Sequence, residues 1–325
     1  MSKKAEYQYE PADESFLVND DPSLTPIRIS LPSPPPLHLI DGYGLPPREQ
    51  RFKRQQVPKK LLSLYQDVKD NLEIVAANKS SYKVTLYKVQ VTFWNRLKNA
   101  QEVYKDEIEW LKKIWWHRVH GYWFFNNGKP TYICGWHFMY VNFWQYTETK
   151  KSGNKFPEYR DRDRRWFLFN WYAYTCTETF KHIDDKGKAL KVDGKYEMVD
   201  VGRRTLYGTG NTKQRRAGET HKSLCICHEI MSVSEGGVSG IISYTNINSE
   251  KHFREKLVPA WQRFPIFFMP YYDGSYAPSN NIRYRVPGTE VGKVGVDAVM
   301  NYAESGDGKA YDGSRLVGIL CDEEG

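Results

Sequence analysis

The sequence lacks a long apolar segment. No uninterrupted apolar run approaches the roughly 18 residues that a membrane-spanning helix requires. The N-terminal residues, with Lys3, Lys4 and Glu6 close to Met1, also lack the apolar stretch of a signal peptide. We therefore predict a protein that is neither secreted nor anchored in a membrane by a helix of its own.

Cysteine is scarce and is not arranged for metal binding. The chain has five cysteines, and no two of them form a C-x-x-C pair: Cys134, Cys176, Cys225, Cys227 and Cys321. An odd, scattered set indicates free thiols in a reducing compartment. Cys225 and Cys227 fall on different faces of one predicted helix, so we interpret them as core residues.

Acidic residues are outnumbered by basic ones. The chain has 47 Lys and Arg against 39 Asp and Glu, which gives a formal net charge of +8. This surplus suits a polyanionic partner, nucleic acid before a membrane surface, although many basic proteins bind neither. With 40% hydrophobic residues over 325 positions, the chain can bury the core of two domains, or of one large domain with additions.

Composition divides the chain into three parts. Residues 1–60 are predicted to form an extended arm, which is rich in proline between Leu31 and Leu37 and basic from Arg48 to Lys60. The basic run is interpreted either as a solvated linker or as a nucleic-acid contact. Residues 61–150 are predicted to form a helical and hairpin subdomain, and residues 151–325 the main core.

Apolar periodicity predicts the elements of the middle part. A helical stripe runs from Leu61 to Val68, and Gln101 to Trp116 has the pattern of a second amphipathic helix. Two aromatic, strand-like runs, Tyr122–Phe125 and Thr131–Cys134, flank Asn127-Gly128. Because Asn-Gly suits a tight turn between antiparallel strands, this stretch predicts a β-hairpin.

Strand and helix patterns alternate in the main core. A helix is predicted at Trp166–Phe180 and another at Ser249–Arg263, with Ser249 as its N-cap. Short strands are predicted at Gly240–Thr245, Asn281–Val286 and Leu316–Cys321, and Val296–Glu304 includes a short apolar run. This alternation predicts an α/β fold with a parallel sheet.

A basic, glycine-containing turn lies within Thr205–Met231, between the β-prone lead-in Leu206–Tyr207 and a predicted helix. Strand, basic loop and helix form the layout of a phosphate-binding loop, because backbone N–H groups at a helix N-terminus point at an anion. The sequence departs from the usual G-x-x-x-x-G-K-[ST] pattern, since Glu219 follows Gly218 where lysine is expected. The alternative interpretation is a basic surface loop before a buried helix.

The last predicted strand, Leu316–Cys321, leads directly into Asp322 and Glu323. Sheets of α/β proteins place ligands at this end of their strands. In nucleoside triphosphatases, the first acid of this Walker B pattern holds Mg²⁺ and the second polarises the attacking water. The pattern is weak alone, but it follows a candidate phosphate loop in the expected order. The two together predict ATP and Mg²⁺ as cofactors.

Four stretches occur in a distinctive order: Gly121–Phe138, Tyr159–Arg165, Lys213–Thr220, and Tyr311–Gly313 with Leu316–Glu323. In that order they resemble the large terminase subunit of tailed bacteriophages, the ATPase motor that packages viral DNA. The resemblance covers roughly residues 120 to 325. The aromatic and Tyr-Asp-Gly stretches are most similar to terminases of Bacteroidetes phages, including the crAss-like group.

The resemblance implies a P-loop NTPase fold of the ASCE type, with a parallel sheet and helices on both of its faces. The helical, aromatic subdomain and the proline-rich arm would precede this core. Some terminases carry the phosphate-binding lysine five residues before the glycine, as Lys213 stands before Gly218. The ATP-binding residues implied in this way are Lys213, Gln214, Arg215, Arg216, Ala217, Gly218, Glu219 and Thr220.

The same resemblance assigns roles to individual residues. Thr220 and Asp322 would hold Mg²⁺, and Glu323 would act as general base. Arg215 would act in cis on the γ-phosphate, and Arg216 is the alternative for that role because both guanidinium groups offer paired donors.

Two features of the loop conflict with these assignments. Lys222-Ser223 is an alternative alignment, ranked lower because no glycine directly precedes the lysine. Glu219 would repel a polyphosphate unless its carboxylate turned outward or paired with an arginine.

Tyr146, Tyr159 and Arg160 are candidates for an adenine pocket because they lie upstream of the loop, and core or surface packing is the alternative explanation for each.

The resemblance also implies partners and a location. They are double-stranded DNA, the portal protein, the small terminase subunit and further copies of the chain in a ring, often pentameric, in the host cytoplasm. A large terminase continues beyond this point into a nuclease domain. We therefore expect the chain to be the N-terminal ATPase part of such a protein, which leaves open whether it hydrolyses ATP alone.

Two other functions are compatible with the sequence. One is a different P-loop motor on nucleic acid, such as a helicase-like ATPase. The other is a non-catalytic DNA- or capsid-binding protein with a decayed phosphate loop, which Glu219 favours.

Overall fold

The computed structural model describes residues 7–17, 28–77, 84–147, 153–175, 177–181, 188–192, 195–204, 209, 218–272, 274–288, 295–304, 311 and 313–322. Its α-helices are α1 Lys59–Ala77, α2 Leu86–Asn99, α3 Lys105–His120, α4 Gly135–Phe143, α5 Asp161–Thr175, α6 Glu219–Met231, α7 Asn246–Lys251 and α8 Val258–Arg263. None of the helices described is long and apolar enough to cross a membrane.

The strands are short and are distributed along the whole chain. They are β1 Ser15–Leu17, β2 Arg28–Ser30, β3 Tyr122–Asn126, β4 Lys129–Ile133, β5 Tyr146–Thr147, β6 Asn154–Lys155, β7 Thr177–Lys181, β8 Lys191–Val192, β9 Lys195–Tyr196, β10 Met198–Arg204, β11 Val238–Ser243, β12 Asn281–Tyr284, β13 Ala298–Glu304 and β14 Leu316–Asp322. The protein is therefore of the mixed α/β class.

The chain folds into two compact units, each of which is built from three separate segments. The first unit comprises Met1–Phe52, His120–His137 and Tyr159–Arg215. The second comprises Lys53–Val119, Phe138–Glu158 and Arg216–Gly325.

The first unit contains the predicted β-hairpin. Strands β3 and β4 pair antiparallel around Asn127 and Gly128, which have φ angles of 48° and 89°. Part of the predicted N-terminal arm packs here, because Gln50 is buried, donates to the carbonyl oxygens of Gly42 and Leu45, and accepts from the Gly128 N–H at 2.8 Å. The hairpin prediction is confirmed.

Helix α5 differs from the predicted Trp166–Phe180 at both ends. It begins at Asp161, where two acidic residues in the first turn favour a helix N-terminus, and it ends at Thr175. Strand β7 follows and pairs antiparallel with β10. The alternating, β-branched sequence of Thr177–Lys181 favours a strand over a continued helix.

The second unit contains a four-stranded sheet with the order β12-β13-β11-β14. The central strand β11 pairs parallel with both β13 and β14, as the sequence predicts for this region. Strand β12 pairs antiparallel with β13, so the sheet is mixed, not wholly parallel as predicted. A short edge strand of this kind is common on α/β sheets.

Helices pack on the face of the sheet to which Ser239 and Ile241 point. Ser239 Oγ donates to the Cys227 carbonyl oxygen of α6 at 3.2 Å, and Tyr302, the register partner of Ile241, contacts Phe253. On the opposite face, the ring of Tyr311 covers Gly240 so closely that a Cβ there would lie 2.4 Å from the ring. The main helices described thus lie on one face, whereas the prediction placed helices on both.

A nearly continuous helix follows β11. It runs through α7, a π-helical turn at His252–Leu257, and α8. Its N-cap is Thr245, whose Oγ1 accepts from the Asn248 N–H, and not Ser249 as predicted. Ser249 is already inside the helix, where its hydroxyl donates to the Ala303 carbonyl oxygen of β13 at 2.6 Å.

Candidate functional site

The start of α6 lies at the carboxyl edge of the sheet. A short connection joins α6 to β11, and the two elements run antiparallel, with Ser239 against Cys227. From that contact, α6 extends eight residues back to Glu219, about 12 Å. Strand β11 extends four residues forward to Ser243, about 13 Å. The two ends therefore reach the same level, where α/β sheets place their ligands.

The described end of the predicted loop, Gly218 to Thr220, and the end of β14 belong to this same edge. Ser243 at the end of β11 pairs in register with Asp322 at the end of β14 and with Glu304 at the end of β13. Helix α6 packs against both β14 and β11. The structure thus brings the start of α6 and the backbone of Asp322 to one part of the fold.

Ser243 is a buried polar residue at this edge. It points to the same face as Ser239 and Ile241, because side chains alternate along a strand, and that face carries α6. Its side chain is fully buried, and its Oγ has no hydrogen-bond partner among the residues described. A buried hydroxyl without a partner costs about 1–3 kcal/mol, so a ligand atom or a water molecule is expected beside it. Sequence patterns did not indicate Ser243.

The backbone turn before α6 requires glycine. Gly218 has φ of +79° and caps the helix without a side-chain hydrogen bond. A Cβ here would have no atom of the described residues within 4 Å, so the requirement for glycine is conformational. The first-turn N–H groups of a helix point outward along its axis, and at α6 they point to the carboxyl edge.

Glu219, which conflicts with the loop pattern in the sequence, forms an ion pair with Lys222. Lys222 is only 2% exposed. The carboxylate is therefore compensated, although by a lysine one turn along the helix and not by an arginine. The same ion pair commits the Lys222 ammonium to Glu219, which disfavours the alternative alignment that used Lys222-Ser223 to bind phosphate.

Lys256 is a residue of the site that sequence reasoning missed. It lies in the π-helical turn, and its Nζ donates to Thr220 Oγ1 at 3.5 Å. The positive charge of Lys256 therefore lies beside the Thr220 hydroxyl, which was predicted to hold Mg²⁺. Single-turn π-helices are frequent at functional sites, but no sequence pattern marks them, so this signal was not readable from the sequence.

His221 is neutral at physiological pH. Burial, together with the charges of Lys256 and His252, lowers its pKa to about 4. Its ring contacts that of Tyr146, with 5.3 Å between the ring centroids. Tyr146, proposed from sequence for an adenine pocket, therefore lies beside the first turn of α6.

The other two adenine candidates lie in the first unit, which does not contain α6. Tyr159 packs between Phe124 and His137, at ring centroid distances of 5.0 and 5.6 Å, and its hydroxyl donates to Asp161 Oδ1 at 2.7 Å. Arg160 is exposed. Tyr159 is thus a packing residue within the first unit.

Several predicted site residues lie outside the part of the chain that the structure describes. They are Lys213, Gln214, Arg215, Arg216, Ala217 and Glu323. Of the predicted residues that are described, Gly218, Glu219 and Thr220 open α6, and Asp322 ends β14. Within the described ranges no group of three or more His, Cys, Asp and Glu side chains is arranged to hold a metal ion.

Comparison with known protein families, with curated proteins and with solved structures finds no match to this chain.

Proposed function

We propose that the chain is the ATPase part of a DNA-packaging motor, of the kind found in the large terminase subunit of tailed bacteriophages. It would bind Mg-ATP at the start of α6, with the P-loop NTPase fold that this implies. Hydrolysis would drive double-stranded DNA through a portal protein into the procapsid in the host cytoplasm. The small terminase subunit and further copies of the chain, in a ring, are the proposed partners.

The observation that carries the proposal is the meeting of α6 and β14 at one sheet edge. An anion at the start of α6 would face outward-pointing N–H groups, the ammonium of Lys256 and the buried hydroxyl of Ser243. The end of β14 would bring Asp322 toward the same place. An anion site next to a carboxylate is the arrangement that a Mg²⁺-polyphosphate ligand needs.

The proposed role of each residue follows from the charge and the length of its side chain. Lys213 would neutralise the β- and γ-phosphates, with Arg215 on the γ-phosphate and Arg216 as its alternative. Thr220 and Asp322 would hold Mg²⁺. Glu323 would take the proton of the attacking water, a contribution that is typically 10²- to 10⁴-fold in rate.

The first test compares Glu323→Gln with Glu324→Gln, its immediate neighbour, by phosphate release and by ATP binding with Mg²⁺ present. We expect E323Q to reduce turnover about 10²-fold or more while ATP still binds, and E324Q to keep the wild-type rate. Equal turnover in wild type and E323Q would contradict the assignment.

The second arm of the test uses Lys213→Ala and the double variant E219Q/K222A, which removes Lys222 without leaving the Glu219 charge uncompensated. We expect K213A to weaken ATP binding more than E219Q/K222A does, because Lys222 is already paired with Glu219. The opposite order would favour the alternative alignment of the loop. Absence of ATP binding to the wild type at millimolar concentration would favour a non-catalytic DNA- or capsid-binding protein.

A further inference from the structure

A polar cavity opens beside the candidate site, where β13 ends and β12 begins. Its volume is about 420 Å³, and the side chains that line it include Asn246, Asn280, Asn281, Asn301 and Glu304. Four of these five are carboxamides, one is a carboxylate, and none of the described residues that line the cavity is a lysine, arginine or histidine. Because nothing in this described lining neutralises an anion, the cavity fits an uncharged group that both donates and accepts hydrogen bonds.

Asn301 has an unmet hydrogen-bonding group at this cavity. It lies on β13, paired in register with Asn281 of β12 and with Gly240 of β11. Its Oδ1 is buried and accepts no hydrogen bond from the residues that the structure describes. A buried acceptor without a donor costs about 1–3 kcal/mol, which a ligand donor would recover.

The cavity adjoins the edge where a polyphosphate is proposed to bind. Glu304 pairs in register with Ser243 across β13 and β11. Asn246 follows Ser243 by only three residues, a separation of at most about 11 Å. Glu304 points with Ser243 to the face of α6, whereas Asn301 points with Gly240 to the opposite face. A ligand with its phosphates at the start of α6 would therefore pass over the carboxyl edge of β13 to reach Asn301.

We propose that this cavity binds the nucleoside part of the nucleotide, an inference that rests on the proposed function. A carboxamide presents a donor and an acceptor side by side, the pair that matches the N6 and N7 edge of adenine. A carboxylate near the end of a strand accepts from ribose hydroxyls in dinucleotide-binding folds, and Glu304 ends β13. This assignment replaces Tyr146 as the adenine-binding residue.

The experiment compares the binding of ATP with that of tripolyphosphate, both with Mg²⁺, by titration calorimetry. The variants are Asn301→Ala and Asn246→Ala, with Asn248→Ala as matched control. Asn246 is exposed, so its substitution is not expected to disturb folding. Asn248 lies on the same helix but does not line the cavity. Tyr146→Ala is included to test the earlier adenine assignment.

We expect N301A and N246A each to weaken ATP binding about fivefold, the effect of one lost hydrogen bond, and to leave tripolyphosphate binding unchanged. N248A and Y146A should bind both ligands as the wild type does. Unchanged ATP affinity in N301A and N246A would overturn the proposal while leaving the phosphate site intact. Selective loss of ATP binding in Y146A alone would also overturn it.

Failure of the proposed function gives a different result, since the wild type would then bind neither ATP nor tripolyphosphate. In that case the binding of adenosine alone tests whether the cavity binds a nucleoside. Millimolar binding of adenosine that N301A abolishes would support the cavity, and absence of adenosine binding would overturn it.

Discussion

At the scale of single residues, the first turn of α6 places acid and base in unusual surroundings. Lys222 is almost fully buried, which is expensive for an ammonium group unless a counter-charge is near. Glu219 supplies that charge from one turn earlier on the same helix. Glu219 was expected from the sequence to repel phosphate. In the structure its carboxylate compensates the charge of the buried Lys222.

This pairing leads to a prediction for Lys222→Met. The variant removes the Lys222 ammonium that pairs with the Glu219 carboxylate at the proposed phosphate site, and we expect ATP to bind about tenfold more weakly or worse. The double variant E219Q/K222M removes both charges and should recover most of the affinity. A double-mutant cycle measured by ATP titration gives the coupling directly.

The exposed Lys251→Met serves as control for loss of one positive charge. If K251M weakens ATP binding as much as K222M does, the effect comes from net charge and not from Glu219. If E219Q/K222M binds no better than K222M, the carboxylate does not reach the phosphates.

The residues of this site differ in how far the sequence alone could indicate them. Gly218 and Thr220 follow from a local pattern. The pairing of Glu219 with Lys222 was not predicted, although a spacing of three along a helix permits it. Lys256 reaches Thr220 from 36 positions away, through a π-helical turn. Ser243 became noticeable only because its hydroxyl is buried without a partner in the described structure. Contacts of this kind depend on tertiary packing.

At the scale of elements, local patterns identified the hairpin β3–β4 and the parallel strands β11 and β14. Each has a strong signal within its own residues: a turn dipeptide or a short apolar run. The N-cap of α7 was misplaced because Ser249 and Thr245 are both good capping residues. The hydroxyl of Ser249 is used by β13 instead, a tertiary contact that no helix pattern contains.

The turn into α6 gives the element-scale prediction, with Gly218→Ala and Gly236→Ala as a matched pair. Both glycines have positive φ, 79° and 61°, and neither would place a Cβ within 4 Å of another atom. Each variant should lose roughly 1–2 kcal/mol of stability, measured by urea unfolding. Only G218A should also weaken ATP binding, because Gly236 lies in the turn beyond the other end of α6.

Equal effects of G218A and G236A on ATP affinity would show that only global stability matters. No loss of stability in G218A would contradict the left-handed backbone conformation at this position.

At the scale of the whole molecule, the second unit is joined by a buried ion pair between distant parts of the chain. Arg118 Nε donates to Glu229 Oε2 at 2.7 Å, and both side chains are less than 5% exposed. The same guanidinium donates to the Phe268 carbonyl oxygen and to Ser232 Oγ. Burial raises the pKa of the Glu229 carboxyl, but the charge of Arg118 beside it outweighs this effect, so the pKa is lowered overall.

We predict that Arg118→Ala destabilises the protein by about 3–5 kcal/mol, because it leaves a buried carboxylate without its partner. The double variant R118M/E229L should unfold at a higher temperature than R118A, since it leaves no buried charge. Thermal unfolding followed by circular dichroism measures both. A double variant no more stable than R118A would show that the pair is not the source of the loss.

The Arg118–Glu229 pair also makes the stability of the fold depend on pH in the acidic range. Because the pKa of Glu229 is lower in the folded state, the unfolded state binds its proton first as the pH falls. The contribution is complete above the ordinary glutamate value of 4.5 and decreases below it. The wild type should therefore lose stability below pH 4.5 more steeply than R118M/E229L does.

The three-segment construction of the second unit has a consequence for synthesis on the ribosome. Helix α2 completes its packing only when Met269, Pro270 and Tyr272 arrive, since Gln90 bonds to the backbone of these residues. Glu229 follows Arg118 by 111 positions, a delay of roughly 5 to 20 seconds at ordinary rates of translation. Until those later residues are made, the side of α2 that carries Gln90 lacks its native contacts, so we expect the nascent chain to bind chaperones.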